Sequence, residues 1–258
     1  MSHKFGISII MPALNEEENI HEAVTNTLKA FENLSINGEI VVINDGSTDK
    51  TKDIVNEIIK NDDRVKLVNH TVPHGVGNSF WDGVDQSTKE VVSMFPGDNE
   101  NDPWETLRYF DLLEHVDIVV PFVFNKEVRP FFRNLLSYVY RFIINATFNV
   151  NLNYTNGTVL YRKAILGDVN NRSSGFFYQT DILIRLLKKS YLFAEVPYRL
   201  GVRKGLSKAV SFPSLLQVMR GYLRLVRDMK ISKSGGKKFL FKSITSKRYG
   251  QVEPPKVS

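Results

Sequence analysis

Val91-Val92-Ser93-Met94-Phe95-Pro96-Gly97-Asp98-Asn99-Glu100-Asn101-Asp102-Pro103 joins an apolar run of strand character to three acids within five residues. Carboxylates crowded at the carboxyl end of a strand repel one another unless a cation sits between them. Oxygen ligands of this kind suit Mg²⁺ or Mn²⁺, cations that also hold the oxygens of a diphosphate. A plainer role fits the same residues: a solvated acidic loop that caps the next helix, with Asp102 at the N-cap and Pro103 at the first helical position. The stretch alone does not choose between the two, and the choice rests on what surrounds it.

Further apolar runs at 7–11, 40–43, 65–69 and 117–122 read as short buried strands. Between the first four strands lie segments of helical period. Ile20, Val24, Leu28 and Phe31 form one stripe; Ile54, Val55, Ile58 and Ile59 form another. Strand and helix alternating at this spacing predict an α/β fold, a mostly parallel sheet flanked by helices on both faces. Ligands of such sheets bind at the carboxyl ends of the strands. After strand one comes Pro12-Ala13-Leu14-Asn15-Glu16, where Asn15 is a good N-cap. After strand two comes Asn44-Asp45-Gly46-Ser47-Thr48-Asp49-Lys50-Thr51. Ser47 or Asp49 can cap the next helix, whereas Asp45 has no evident local duty and can accept hydrogen bonds from a base or a ribose. After strand three, Gly75 and Gly77 open a helix with backbone that a ligand can approach closely. Four consecutive strand ends with polar, glycine-bearing turns read as a nucleotide site.

The bulk composition bounds the alternatives. A chain of 258 residues, 42% hydrophobic and 24% charged, supports one large α/β domain. No stretch supplies the ~20 apolar residues of a membrane span; Phe142 to Tyr161, the nearest, carries five asparagines. The first strand begins almost at the amino terminus, which leaves no room for a signal peptide, and there are no cysteines, so a cytoplasmic protein is expected. The net charge of +6 is unevenly placed. Residues 1–198 hold 19 Lys/Arg against 26 Asp/Glu, residues 199–258 hold 15 against 2. A basic final quarter on an acidic body calls for an anionic partner. Nucleic acid is the least expected such partner, because the basic tail has few aromatics and no recognised binding module.

The strand-end residues resemble the inverting family 2 glycosyltransferases of GT-A (Rossmann-like) fold. Pro12-x-x-Asn15-Glu16, Asp45-Gly46-Ser47-x-Asp49-x-Thr51, Gly75-x-Gly77 with Gly83, and the cluster at Asp98 carry the likeness. It implies that Pro12, Asn15, Glu16, Asp45 and Gly75 contact the nucleotide of a UDP- or GDP-sugar. Asp98 with Glu100 would hold Mg²⁺ or Mn²⁺ and the diphosphate. The second half looks more narrowly like the dolichol- and polyprenyl-phosphate hexose synthases. Arg129, Arg133 and Ser137 stand on an arginine-bearing helix, Asn153 and Gly157 form a turn, and Gly175, Phe176 and Asp181 follow. Glu195-Val196-Pro197 then leads to Arg203-Lys204-Gly205-Leu206-Ser207-Lys208. By this resemblance Arg129, Arg133, Ser137, Arg203, Ser207 and Lys208 bind the acceptor or its phosphate, and a guanidinium suits phosphate by its bidentate fork. The chain departs from the pattern at Pro96, where the metal motif has its first acid, and at Asn44, Asn153 and Val76.

Two acceptors follow from these readings. A polyprenyl phosphate is already anionic and needs no general base, whereas a sugar hydroxyl needs a carboxylate to take its proton, for which Asp181 is the candidate. A relative that binds a nucleotide sugar without turning it over is the third reading, motivated by the departures. The expected division is a transferase domain over 1–212, a basic amphipathic helix over 213–230 and a basic tail over 231–258. In that helix Leu215, Leu216, Met219, Tyr222, Leu223 and Val226 lie on one side and Arg220, Arg224 and Arg227 on another. Such a stripe suits the surface of an anionic membrane. It also suits packing on the domain or on a second copy in a homo-oligomer, and the aromatic segment from Phe131 to Phe148 invites the same two readings.

Overall fold

The structure, a computed structural model, describes residues 3–128, 130–201 and 212–232. The elements run β1 (Ile7–Ala13), α1 (Ile20–Leu34), β2 (Gly38–Asp45), α2 (Thr51–Asn61), β3 (Val65–His70), α3 (Val76–Gln86), β4 (Val91–Met94) and α4 (Pro103–Leu107). They continue through β5 (Ile118–Val123), α5 (Phe131–Phe148), β6 (Leu160–Arg162), α6 (Lys163–Leu166), α7 (Tyr178–Lys188), β7 (Phe193–Tyr198) and α8 (Phe212–Ser232). Short 3₁₀ turns cover Phe110–Glu114 and Lys126–Val128.

One seven-stranded sheet has the order β3-β2-β1-β4-β6-β5-β7. β1 lies parallel between β2 and β4, with Ile9 opposite Ile40 on one side and Ser93 on the other. β6 runs antiparallel between β4 and β5, and β7 is parallel to β5 at the edge. The five expected strands are all present. β6 and β7 carry no uninterrupted apolar run and went unforeseen.

The central strands are mainly apolar on both sides because both faces of the sheet are covered. Ile7, Ile9, Ile40, Val42 and Phe31 share one core layer under α1 and α2. Ile10, Val41, Ile43, Phe80, Trp81 and Ile182 share the other, under α3 and α7. Of the two expected helical stripes, Ile20, Val24, Phe31 and Val55 are buried and the remaining members are half-buried. Gly83 lets α3 lie close on the sheet, since a Cβ there would run into the Ile10 side chain. A third, smaller layer joins α5, α7 and α8 through Ile144, Phe148, Phe177, Ile184 and Leu225.

Candidate functional site

The carboxyl ends of β1 and β2 are tied to each other before any ligand is considered. Asn15 sits in the left-handed region (φ 57°) and does not cap α1, whose N-cap is Asn19. Its Oδ1 instead accepts from the Thr48 amide at 2.9 Å, and its own amide donates to Ser47 Oγ at 3.0 Å. The Glu16 amide donates to Thr51 Oγ1 at 2.8 Å, while its carboxylate accepts from Asn19 Nδ2. Asp49 accepts from the Thr51 amide and hydroxyl at the start of α2. The first two polar turns therefore form one braced rim, with Pro12 and Glu16 half-buried in it and Asn15 exposed.

Asp45 proves to have a structural duty. It is buried, and its carboxylate accepts from the amides of His74 (2.8 Å) and Gly75 (2.9 Å) and from His70 Nδ1 (2.8 Å). Burial by itself would raise the carboxyl, but the bonds from His70, His74 and Gly75 outweigh it and hold Asp45 below the usual carboxylate range. Gly75 allows this turn because its φ of +92° is one that side-chain-bearing residues rarely adopt. Gly77 serves packing: its amide donates to Ser174 O at 2.9 Å, and a Cβ would collide with Ser173 O. The asparagine at 44 has a reason too, since it donates to Asn69 Oδ1 at 2.6 Å and accepts from the Ser47 amide.

The acidic stretch lies directly beyond β4. Backbone bonds from Phe95 to Ile10 O and from Gly97 to Pro12 O extend the pairing with β1 past the last strand residue. The chain then turns through Asn99 (φ 54°), and the Glu100 amide folds back onto Asp98 Oδ1 at 3.1 Å. That fold sets Asp98 and Glu100, both half-buried, on one turn. Asp102 does what the plainer reading assigned to it, accepting from the Trp104 amide at 2.9 Å as N-cap of α4. Asp98 and Glu100 offer hard carboxylate oxygens, the type that would suit a Mg²⁺- or Mn²⁺-type cation. Beside this turn, Asn101, Pro121, Val123, Tyr154, Asn156 and Tyr198 line a cavity of about 40 Å³. A wider groove of about 690 Å³ lies at the opposite, amino-terminal edge of the sheet, among Phe5, Trp81, Lys89, Arg162 and Arg172.

The second half of the chain surrounds the cavity. Asn156, on its wall, accepts from Thr180 Oγ1, which is bonded to Tyr140 on α5 at 2.8 Å. Asn153 offers its amide and its Nδ2 to the Glu195 carboxylate at 2.6 and 2.8 Å. An aspartate at 153 would set two carboxylates face to face, so the asparagine fits its partner. Asp181 is buried at the start of α7, and its Oδ2 accepts from Arg185 Nε at 2.9 Å. Arg185 also grips Asp228 on α8 at 2.8 Å. Burial pushes the Asp181 carboxyl up, and Arg185 offsets only part of that rise.

Arg133 and Ser137 stand one turn apart on the half-buried side of α5. Another side of that helix is largely apolar and uncovered: Phe131 is 83% exposed, Phe132 67% and Phe142 64%, and Leu135, Leu136, Tyr138, Val139 and Ile143 are exposed as well. On α8 the expected single stripe splits. Tyr222 and Val226 turn inward with Leu225, and the Tyr222 hydroxyl meets Thr147 at 2.8 Å. Leu215, Leu216, Met219 and Leu223 stay exposed together with Arg220, Arg224 and Arg227. Arg129, Arg203, Ser207 and Lys208 lie outside the described residues.

Two contributors escaped the sequence reading. His70 ends β3 and obeys the strand-end rule that found Asp45, so the signal for it was present. Asp228 meets Arg185 across 43 positions in sequence, and no local pattern announces that pairing.

A mostly parallel sheet flanked by helices, with polar turns at its first strand ends and an acidic turn beyond β4, is the architecture of the GT-A glycosyltransferases. The chain belongs to glycosyl transferase family 2, whose model matches residues 8–169. It is 25% identical over 230 residues to a dolichol-phosphate mannosyltransferase of Pyrococcus furiosus, covering 86% of this chain and 64% of that protein. It is 32% identical over 113 residues to an uncharacterized glycosyltransferase of Haemophilus influenzae, 43% of this chain and 44% of the relative. The chain thus spans less than two thirds of the length of each of these curated relatives. Among solved structures, glucosyl-3-phosphoglycerate synthase of Mycobacterium tuberculosis with Mg²⁺ and UDP superimposes with a TM-score of 0.67 at 17% identity, covering 87% of this chain and 80% of that one. The same enzyme with Mn²⁺, UDP-glucose and phosphoglyceric acid gives 0.66. At such identity the likeness speaks for the fold alone.

Proposed function

We propose that this chain transfers a hexose from a UDP- or GDP-sugar to a polyprenyl phosphate at a membrane surface, in a single displacement that inverts the anomeric carbon. The observation that carries the choice of acceptor is the uncovered apolar face of α5 and α8. Exposed apolar area of this extent on a folded protein marks a docking surface, and the arginines at 220, 224 and 227 match anionic headgroups. From its inner side, α5 is tied to the cavity wall through Tyr140, Thr180 and Asn156. The mannosyltransferase relative from Pyrococcus points to the same acceptor class.

In this reading the rim of Pro12, Asn15, Glu16, Asp45 and Gly75 holds the nucleotide. Asp98 and Glu100 hold Mg²⁺ or Mn²⁺, which supplies charge neutralisation for the departing diphosphate. Arg133 and Ser137 present the acceptor phosphate from the inner side of α5 while its lipid lies along the outer side. Arg203, Ser207 and Lys208 complete the phosphate contacts. The acceptor oxygen carries its negative charge already, so the protein's work is positioning and electrostatics. The pairing of Asp181 with Arg185 agrees with that, since the only carboxylate offered as a base is engaged elsewhere in this scheme. A second reading, transfer to a sugar hydroxyl with Asp181 as base, draws its support from the upward shift of that carboxyl.

The test follows nucleoside diphosphate release from a panel of UDP- and GDP-sugars with Mg²⁺ or Mn²⁺, with and without a short-chain polyprenyl phosphate. Release that rises steeply with the lipid phosphate is expected. Asp98→Ala is expected to lower it by about 10²–10³-fold with the melting temperature preserved. Release indifferent to the lipid would transfer the proposal to a hydroxyl acceptor, and no release with any donor would favour a non-catalytic relative.

A further inference from the structure

The corner between β3 and α3 carries side chains that sugar transfer does not call for. The His70 side chain is only 9% exposed, and both of its ring nitrogens face carboxylates: Nδ1 lies 2.8 Å from Asp45 Oδ1 and Nε2 lies 3.1 Å from Asp82 Oδ2. The ring of His74 stacks on that of His70 with centroids 4.2 Å apart. One ligand atom from each of His70, His74 and Asp82 lies within 4.8 Å of the others.

A neutral imidazole has one donor and one acceptor nitrogen. With Nδ1–H donating to Asp45, Nε2 is left with a lone pair 3.1 Å from Asp82 Oδ2. That approach is repulsive unless the ring carries a second proton or a cation stands between the two groups. Two ligands bound at about 2.0–2.2 Å to one tetrahedral or octahedral ion are separated by roughly 3.0–3.5 Å, and the observed 3.1 Å falls in that interval. Asp45 behind Nδ1 is the outer carboxylate that fixes the tautomer of a metal-bound histidine and increases its basicity. His74 is exposed and can swing its ring the short distance needed to complete the set. Two imidazoles and one carboxylate select a borderline transition cation over an oxygen-seeking one such as Mg²⁺.

We propose that His70, His74 and Asp82, with Asp45 as outer partner of His70, form a Zn²⁺-class site, with water as the fourth ligand, separate from the Asp98–Glu100 pair. A cation here would clamp the turn that holds Asp45, and so stiffen one wall of the nucleotide rim without entering the transfer chemistry.

Tag-free full-length protein is titrated with Zn²⁺ by calorimetry and with Co²⁺ by visible absorption, in millimolar Mg²⁺. One equivalent is expected to bind in the micromolar range or tighter, with cobalt bands of a low-coordinate nitrogen–oxygen site and a raised melting temperature. His74→Ala and Asp82→Asn are each expected to weaken binding by at least about tenfold, and Asp98→Ala is expected to leave it unchanged. His74 is exposed, so its variant reports even if a change at His70 unfolds the protein. Absence of stoichiometric binding, or binding indifferent to His74→Ala, would overturn the site. Binding lost in Asp98→Ala and kept in His74→Ala would assign the ion to the acidic turn and overturn it equally.

Discussion

At Asp45, one carboxylate holds a turn together and is also proposed to meet the nucleotide. Its two oxygens take three hydrogen bonds, two of them from backbone amides that no other group satisfies in their place. Asp45→Ala is therefore expected to cost about 1–3 kcal/mol in unfolding free energy as well as donor affinity. Urea unfolding run beside a UDP and GDP binding titration separates the two effects. Loss of affinity without loss of stability would show that the bracing is incidental. Asp181 poses the opposite question, because its geometry is that of a structural pair while its raised carboxyl is that of a proton acceptor. Asp181→Asn keeps the shape and removes the charge that Arg185 answers. Transfer to polyprenyl phosphate by this variant is expected to stay within about tenfold of the native rate, with lowered stability, since a general base typically contributes 10²–10⁴-fold. A loss in that larger range, in protein shown to be folded, would make Asp181 the base.

The elements divide by how their faces are covered. α1, α2 and α3 bury one stripe each against the sheet, as amphipathic helices should. α5 buries only a narrow side, through Ile144 and Phe148, and exposes aromatic residues along most of its length. Burial of those rings in a bilayer interface is favourable at roughly 25 cal/mol per Å² of apolar surface, and leaving them in water forfeits that. Phe131→Ser with Phe142→Ser is expected to reduce co-sedimentation with vesicles containing anionic lipid. Folding stability should stay within about ±0.5 kcal/mol, because these side chains support no core. Vesicle binding equal to that of the native chain would remove α5 from the docking surface. The split of the α8 stripe belongs here as well. Spacing alone put Tyr222 and Val226 with Leu215 and Leu223, because a helical wheel does not say which neighbours arrive on either side of it. The wheel located the stripe, and the presence of α5 and α7 divided it.

Across the whole molecule, what was legible in the sequence is what local order encodes. β1 to β5 and the helices among them follow from apolar runs and helical period, and the turns at their carboxyl ends follow from the topology of a parallel sheet. What was hidden depends on contacts between distant segments: the antiparallel insertion of β6, the grip of Arg185 on Asp228, and the use of Asp45 as a brace. Glu39 is of the same kind. It is a buried acid at the second residue of β2, just ahead of the apolar run, where pattern alone gives no reason for burial. It is tolerated because Ser8 Oγ (2.6 Å), Lys66 Nζ (2.7 Å) and the Thr88 amide (2.6 Å) all donate to it, tying β1, β2, β3 and the segment before β4 together. Burial raises the Glu39 carboxyl, yet Lys66, Ser8 and Thr88 prevail and bring it from 4.5 down to about 2. A carboxyl depressed in the folded state adds stability above its unfolded value and gives it up as pH falls. The loss should therefore run from about 4.5 to about 2. Its size is on the order of 2–3 kcal/mol, after a discount for the half-exposed lysine. Unfolding free energies measured in urea at pH 6, 4 and 2.5 should converge between the native chain and Glu39→Gln as the pH drops, because other carboxylates titrate alike in both. Curves that stay parallel through that window would mean that Glu39 is not held in its charged form by the folded state, and the four-segment tie would then have to be carried by the neutral hydrogen bonds alone.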